Sequence, residues 1–180
     1  MKNVQLHDRN FEIFISKETI AARVAHMGEA IKTDYADKMP IFLSILNGAF
    51  LFAADLARAC EGLPSEWHFV KLSSYEGMAS TGEVAVKIGF ELEKLRGRHV
   101  ILVEDIVDTG RTLAEFMKQI AAASPASVAL AAAFTKPDAL LFPVNIDYLG
   151  FELPPAFVVG YGLDYDGLGR NLSDLYQLQQ

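Results

Sequence analysis

The residues best suited to chemistry lie together in one stretch, EDIVDTGRT, which runs from Glu104 to Thr112. Gly110 lets the backbone approach a ligand closely and adopt a positive φ, and the hydroxyl groups of Thr109 and Thr112 can donate hydrogen bonds. Glu104 and Asp105 would instead repel a bare phosphate. Both tendencies fit one ligand if it also carries hydroxyl groups or a bound Mg²⁺, as a phosphorylated sugar does.

The residues on either side of this stretch predict a strand before it and a helix after it. Residues 100–103 are apolar and typical of a buried strand, which the two carboxylates would end. Apolar residues then recur at the spacing of one helix face, at Leu113, Phe116, Met117 and Ile120. A strand-turn-helix unit places its turn at the sheet edge where open α/β sheets bind ligands, and free N–H groups at a helix start suit a phosphate. The alternative is an ordinary capped turn. The close clustering of carboxylate, hydroxyl and glycine residues disfavours that alternative.

The rest of the chain alternates predicted strands with amphipathic helices. Residues 1–15 are expected to form an irregular arm, and a helix capped by Ser16 follows, with Ile20, Val24, Met27 and Ile31 on one face. Further strands are predicted at Ile41–Leu46 and at residues 67–75, 84–90, 127–134, 146–151 and 157–161. This order predicts one α/β domain over residues 1–180 with a doubly wound, mostly parallel sheet. The last strands are expected to form a small hood over the edge of that sheet.

Three other segments are candidates for ligand contacts, each with a plainer alternative. Asn47-Gly48 follows a predicted strand and precedes a second predicted helix, and it is either an anion site or a plain turn. Lys136 falls at the ligand edge after another strand, although a lone lysine is more often a solvated surface group. The small polar residues 76–82 form either a hairpin connection, for which they are long, or a mobile lid.

Charge and composition restrict the partners and the compartment. The 180 residues carry a net charge of −7 and no basic run, which argues against nucleic acid or an anionic membrane as the partner. No apolar run reaches the ~18 residues of a membrane span, and the first residues contain no secretory core. Cys60 is the single cysteine, so we expect a buried thiol in a cytoplasmic protein without disulfides. The apolar content of 51% suffices for a covered sheet and a subunit interface, and we expect a homo-oligomer, either a dimer or a tetramer.

The stretch EDIVDTGRT resembles the signature with which type I phosphoribosyltransferases bind 5-phosphoribosyl-1-pyrophosphate, PRPP. The resemblance narrows to the hypoxanthine-guanine phosphoribosyltransferases at four other places: Leu46-Asn47-Gly48, Leu72-Ser73-Ser74-Tyr75, Thr135-Lys136-Pro137 and the run FVVGYGLDY from Phe157 to Tyr165. It covers about residues 10–172. The family resemblance implies a doubly wound sheet with a small hood and a flexible loop that Ser74 and Tyr75 open.

The resemblance also implies an activity and a set of roles. The activity is purine salvage, in which phosphoribose passes from PRPP to N9 of a 6-oxopurine, giving IMP from hypoxanthine or GMP from guanine and releasing pyrophosphate. Asp108 would take or hold the purine ring proton. The backbone of Thr109, Gly110, Arg111 and Thr112 would bind the 5′-phosphate, and Asn47 and Gly48 would form the pyrophosphate loop. Glu104 and Asp105 would hold the ribose hydroxyls and orient Mg²⁺, Asp164 would reach a second Mg²⁺, and Arg170 would reach the pyrophosphate. The base would meet Lys136, Phe157 and Val158.

Some positions depart from the family pattern, and two other functions share the central stretch. Asn47 stands where many relatives have lysine, so that loop would contribute backbone groups alone. Gly167 and Gly169 replace bulkier residues and leave the placement of Arg170 open. One alternative is an enzyme that prefers xanthine. The other is a PRPP-sensing regulator that binds nucleic acid, which the net charge of −7 disfavours.

Overall fold

The computed structural model describes residues 3–74 and 84–179. Within them, the helices are α1 (Lys17–Asp34), α2 (Phe50–Ala59) and α3 (Arg111–Ala122). The strands are β1 (Val4–Leu6), β2 (Arg9–Ile15), β3 (Ile41–Leu46), β4 (Glu66–Ser74), β5 (Val84–Ile88), β6 (His99–Val107), β7 (Ser127–Thr135), β8 (Tyr148–Glu152), β9 (Val158–Val159) and β10 (Leu175–Leu178). Short 3₁₀ turns lie at Leu92–Leu95 and Pro137–Ala139.

The main sheet has the strand order β5-β4-β3-β6-β7-β8. Its strands from β4 to β8 in that order run parallel to their neighbours, and β5 alone pairs antiparallel, with β4. The central strands are almost entirely buried because helices cover both faces. The predicted doubly wound, mostly parallel sheet is therefore confirmed.

Alternate residues of the central strands feed two cores, one on each face. Phe42 of β3 packs with the buried faces of α1 and α2, whereas its neighbours Ile41 and Leu43 pack with that of α3. The four apolar residues predicted to share a face of α1 are all buried. Ser16 caps that helix as predicted, since its Oγ accepts a hydrogen bond from the Thr19 N–H at 3.3 Å.

The second sheet, in the order β1-β2-β10-β9, forms the hood from both ends of the chain. The prediction of an irregular arm over residues 1–15 is wrong, because β2 pairs antiparallel with β1 and with β10. The prediction that the strand near residues 146–151 belongs to the hood is also wrong, since β8 extends the main sheet beside β7. The hood has its own small core of Leu6, Phe11, Val159 and Tyr176.

Two further boundaries bear on the site. β6 does not end at the carboxylates but continues through them to Val107, because β7 keeps pairing with it as far as Thr135. The predicted lid, residues 76–82, lies outside the described residues, in the connection between the antiparallel strands β4 and β5. Tyr75 lies there too, and the lid stays a prediction. No helix in the described ranges is long and apolar enough to cross a membrane.

Candidate active site

The turn between β6 and α3 lines a cavity of about 280 Å³. Gly110 is the N-cap of α3 with φ +76°, a conformation that favours glycine, and a Cβ there would overlap the carbonyl oxygen of Phe142. α3 begins at Arg111, so the free N–H groups of its first turn lie at this cavity. The cavity is lined by Glu104, Asp108 and the predicted residues Thr109, Gly110, Arg111 and Thr112, together with Ile45, Leu72, Ile106, Val107 and Leu113. We call this turn, residues 109–112, the phosphate turn.

A second cavity, of about 410 Å³, lies beside the first. Its lining brings together Gly48, Asp105, Asp108, Lys136, Phe157, Val158, Asp164 and Arg170, all of them predicted site residues, with Ile106 and Leu163. Ile106 and Asp108 line both cavities, so the two form one composite site with Asp108 at the junction. Its size is typical of small-molecule sites.

The adjacent carboxylates serve different halves of this site. Successive strand residues point to opposite faces, and accordingly Glu104 lines the first cavity and Asp105 the second. Part of Glu104 reaches the surface, but its Oε2 is enclosed, and the described residues offer that atom no hydrogen-bond partner. Burial, and then the negative charge of Asp105, raises the pKa of Glu104 well above its ordinary value. Burial also raises the pKa of Asp105, although the N–H of Ile106, at 2.8 Å from its Oδ1, opposes the shift.

Asp164 and Arg170, which both line the second cavity, form an ion pair. Arg170 Nη2 lies 2.5 Å from Asp164 Oδ1, and the Gly167 N–H donates to Asp164 Oδ2 at 2.8 Å. The other terminal nitrogen of Arg170, Nη1, donates to the Gly162 carbonyl oxygen at 2.8 Å. The structure thus brings Arg170 to the site through a compact loop. Both oxygens of Asp164 are engaged within that loop.

The candidate base contacts come from β7 and from the hood. Lys136 directly follows β7, and its backbone N–H donates to the Val107 carbonyl oxygen at 3.0 Å. Phe157 is 46% exposed, and its ring meets that of Tyr165 edge-on at 5.6 Å between centroids. Val158 is buried in β9. A cation, an exposed aromatic face and a strand backbone therefore border the same space.

The chain is similar to known proteins over most of its length. A family model described as "Phosphoribosyl transferase domain" matches residues 15–166 of the chain. The chain belongs to the phosphoribosyltransferase family. The hypoxanthine-guanine phosphoribosyltransferase of Mycobacterium tuberculosis strain H37Rv is 39% identical over 168 residues, which cover 89% of this chain and 82% of the relative. The hypoxanthine phosphoribosyltransferase of Haemophilus influenzae is 37% identical over 165 residues, covering 89% of this chain and 91% of the relative.

Solved structures of this family share the fold. A mutant hypoxanthine phosphoribosyltransferase from Trypanosoma cruzi, in a ternary substrates complex, matches with a TM-score of 0.86 at 35% identity, over 93% of this chain and 94% of that one. The hypoxanthine phosphoribosyltransferase of Staphylococcus aureus matches with a TM-score of 0.86 at 30% identity, over 93% of this chain and 91% of that one. The resemblance inferred from the sequence, to the hypoxanthine-guanine phosphoribosyltransferases, is confirmed by these relatives and structures.

Not every predicted residue of this phosphoribosyltransferase reaches the two cavities. Asn47 is exposed and lines neither of them, whereas its neighbour Gly48 packs so closely on Asp105 that a Cβ would overlap the carboxylate. The backbone of Ser74 ends β4, opposite Val84 of β5.

Sequence reasoning missed residues whose patterns are those of core positions. Ile106 and Leu163 line the second cavity, yet each reads as an ordinary apolar residue beside a charged one. Tyr161 lines neither cavity, and its hydroxyl instead donates to Asp55 Oδ2 of α2 at 3.0 Å. Only the position of Ile106, between two carboxylates of the central stretch, could have indicated its place.

Proposed function

We propose that this phosphoribosyltransferase acts in purine salvage, moving phosphoribose from PRPP to hypoxanthine and guanine with release of pyrophosphate. The observation that carries the proposal is the composite site, in which a phosphate turn and a base-sized cavity meet at Asp108. The names of relatives at 37% and 39% identity support the same substrates. Those names and the net charge of −7 do not favour the nucleic-acid-binding alternative.

The phosphate turn suits the 5′-phosphate of PRPP. Backbone N–H groups and the positive end of the α3 dipole stabilise an anion there, and the hydroxyl groups of Thr109 and Thr112 can donate as well. The sugar would then lie beside Asp108, where the two cavities join. In this arrangement the carboxylate of Asp108 takes or holds the purine ring proton while the bond from C1 to pyrophosphate breaks and that from C1 to N9 forms.

The second cavity suits a 6-oxopurine. An ammonium group only donates hydrogen bonds, so Lys136 pairs with the O6 acceptor of hypoxanthine or guanine but not with the amino group of adenine. Phe157 offers an exposed ring for stacking, and the β9 backbone at Val158 can read the base edge. Arg170, which lines the same cavity, supplies positive charge for the leaving pyrophosphate.

We propose Mg²⁺ as the cofactor, and the donor set of this site fits it. Glu104 and Asp105 offer the hard oxygen atoms that Mg²⁺ prefers, and the unpartnered, buried Oε2 of Glu104 is an unfilled acceptor. When bound, Mg²⁺ would neutralise charge that develops on the pyrophosphate. Asp164 would join such a site only by releasing Arg170 or the Gly167 N–H from one of its oxygens. Turnover should stop in excess chelator and return with Mg²⁺.

The test of the function is a panel of bases with PRPP and Mg²⁺: hypoxanthine, guanine, xanthine, adenine and uracil. We expect turnover with the first two and little with adenine or uracil. Lys136→Met should lower kcat/KM for hypoxanthine. It should also lower the ratio of kcat/KM for hypoxanthine to kcat/KM for adenine. A charged donor left unpaired costs about 1–3 kcal/mol or more, and the substitution removes that penalty for adenine.

The control is Lys94→Met, since Lys94 is exposed and pairs with Glu91 outside the site. An unchanged hypoxanthine-to-adenine ratio in Lys136→Met would show that Lys136 does not read O6. If the wild-type protein turned over xanthine faster than hypoxanthine and guanine, the enzyme would be the xanthine-preferring alternative.

We also propose that the protein acts in the cytoplasm as a homo-oligomer, a dimer or a tetramer. Its single cysteine, Cys60, is buried and free, and a chain without disulfides is typical of the cytoplasm. Light scattering coupled to gel filtration measures the assembly, and a monomeric mass at working concentration would contradict the expected oligomer.

A further inference from the structure

A loop to which the proposed reaction gives no role lies against the phosphate turn. The backbone N–H groups of Leu141 and Phe142 both donate to the carbonyl oxygen of Thr109, each at 3.0 Å. Gly110 faces the Phe142 carbonyl so closely that no Cβ would fit between them. The Arg111 guanidinium carbon lies 5.3 Å from the centroid of the Phe142 ring, within cation–π range. Three consecutive residues of the turn are thus held from one side by this loop.

We infer that Phe142 is a positioning residue that holds the phosphate turn in the conformation that binds the 5′-phosphate of PRPP. The inference rests on the proposed function. The turn has little internal support: Gly110, the N-cap of α3, has no side chain to cap the helix. The hydrogen bond from the Arg111 N–H to Thr109 Oγ1 is long, at 3.5 Å. Contacts from outside the turn therefore set where its N–H groups point.

The exposure of Phe142 argues against a purely structural role. Its side chain is 37% exposed, and it belongs to none of the three hydrophobic cores formed by the described residues. The ring instead lies over Arg111, which lines the cavity at the phosphate turn. Contact with the ring limits the positions open to the Arg111 guanidinium, and a cation on a residue of this turn favours an anionic ligand. The neighbouring Leu141, 71% exposed, shares the backbone contact but has no ring.

The experiment compares three variants of the full protein. Phe142→Leu keeps an apolar side chain but removes the ring, Phe142→Tyr keeps the ring, and Leu141→Ala changes the adjacent exposed side chain as a matched control. We expect Phe142→Leu to raise the KM for PRPP about 2- to 5-fold, the strength of an exposed cation–π contact, with the KM for hypoxanthine unchanged. Phe142→Tyr and Leu141→Ala should stay close to the wild type.

Product and fragment binding separates positioning of the turn from a general loss of structure. The single phosphate of ribose 5-phosphate is the 5′-phosphate that the turn would bind. Pyrophosphate lacks this group. In Phe142→Leu, the dissociation constant of ribose 5-phosphate measured by calorimetry should rise by the same factor as the KM for PRPP, and that of pyrophosphate should not change.

Equal KM values for PRPP in Phe142→Leu and the wild type would overturn the inference, as would parallel losses for ribose 5-phosphate and pyrophosphate. The proposed function fails in a different way, through a wild-type protein that transfers no phosphoribose to any purine. In that event the ribose 5-phosphate measurement still decides the role of Phe142, with an unchanged dissociation constant refuting it.

Discussion

Removing the phenolic oxygen of Tyr161 should destabilise the protein by about 1.5 kcal/mol. The hydroxyl donates to Asp55 Oδ2 at 3.0 Å, and Tyr161 is only 4% exposed. Hydrogen bonds to charged groups contribute about 1.5–3 kcal/mol. The lower end applies because the Asp55 side chain is 44% exposed and keeps its ion pair with Arg58, so water can replace the lost donor. For a chain of this size, the loss in Tyr161→Phe corresponds to a fall in Tm of about 3–6 °C.

The assay is urea unfolding of Tyr161→Phe, Asp55→Ala and the double variant, with Tyr176→Phe as the matched control. Tyr176 is also buried and its hydroxyl also donates to a carboxylate, that of Asp174, but at 3.4 Å. The same substitution should therefore cost less at position 176 than at 161. Because directly bonded residues couple, the two single losses should not add: we expect an interaction energy of about 0.5 kcal/mol or more.

Additive losses in the double variant, or equal losses at positions 161 and 176, would refute this account of the Tyr161–Asp55 bond. The pH dependence provides a second check. Burial, together with the negative charge of Asp55, raises the pKa of Tyr161. The neutral phenol is then favoured in the folded state, so its contribution is complete below the ordinary tyrosine pKa of about 10 and is lost as the pH rises above it.

Three other predictions concern single side chains. Asp108→Asn should lower kcat by about 10²–10⁴ while PRPP still binds, as expected for a positioned acid or base; steady-state kinetics with normal turnover would remove Asp108 from the chemistry. Burial raises the pKa of Cys60 to about 11, so the native thiol should resist an aromatic disulfide reagent at pH 8 and react once urea unfolds the chain. Fast reaction of the folded protein would contradict that burial. The raised pKa of Glu104 means that the metal-free folded state holds a proton that the unfolded state releases above about pH 4.3, so stability falls as the pH rises from there. Glu104→Gln should flatten this decline in urea unfolding curves between pH 5 and 8, and parallel curves for the two proteins would show that the carboxyl titrates normally.

Local sequence patterns are enough to predict the elements that depend on neighbours in the chain. Apolar runs bounded by Pro40 and Gly48 are enough to predict β3, and the one-sided spacing of Leu113, Phe116 and Ile120 is enough to predict α3. The residue types of the central stretch likewise indicate a phosphate turn without reference to anything distant. These features follow from backbone geometry and side-chain period, which act over a few residues.

Contacts between residues that are distant in the chain follow from how whole elements pack in the fold. β2 pairs with β10 although Ile13 and Tyr176 lie at opposite ends of the chain, and no local pattern in either strand names its partner. The same holds for the bond between Tyr161 and Asp55 and for the loop at Phe142 that supports the phosphate turn. Pairing with β7 also extends β6 beyond Glu104 and Asp105. Because side chains alternate along a strand, Glu104 lines one cavity and Asp105 lines the other. Such contacts depend on packing and on hydrogen bonds that close only when whole elements dock, and so they become visible only in the folded chain.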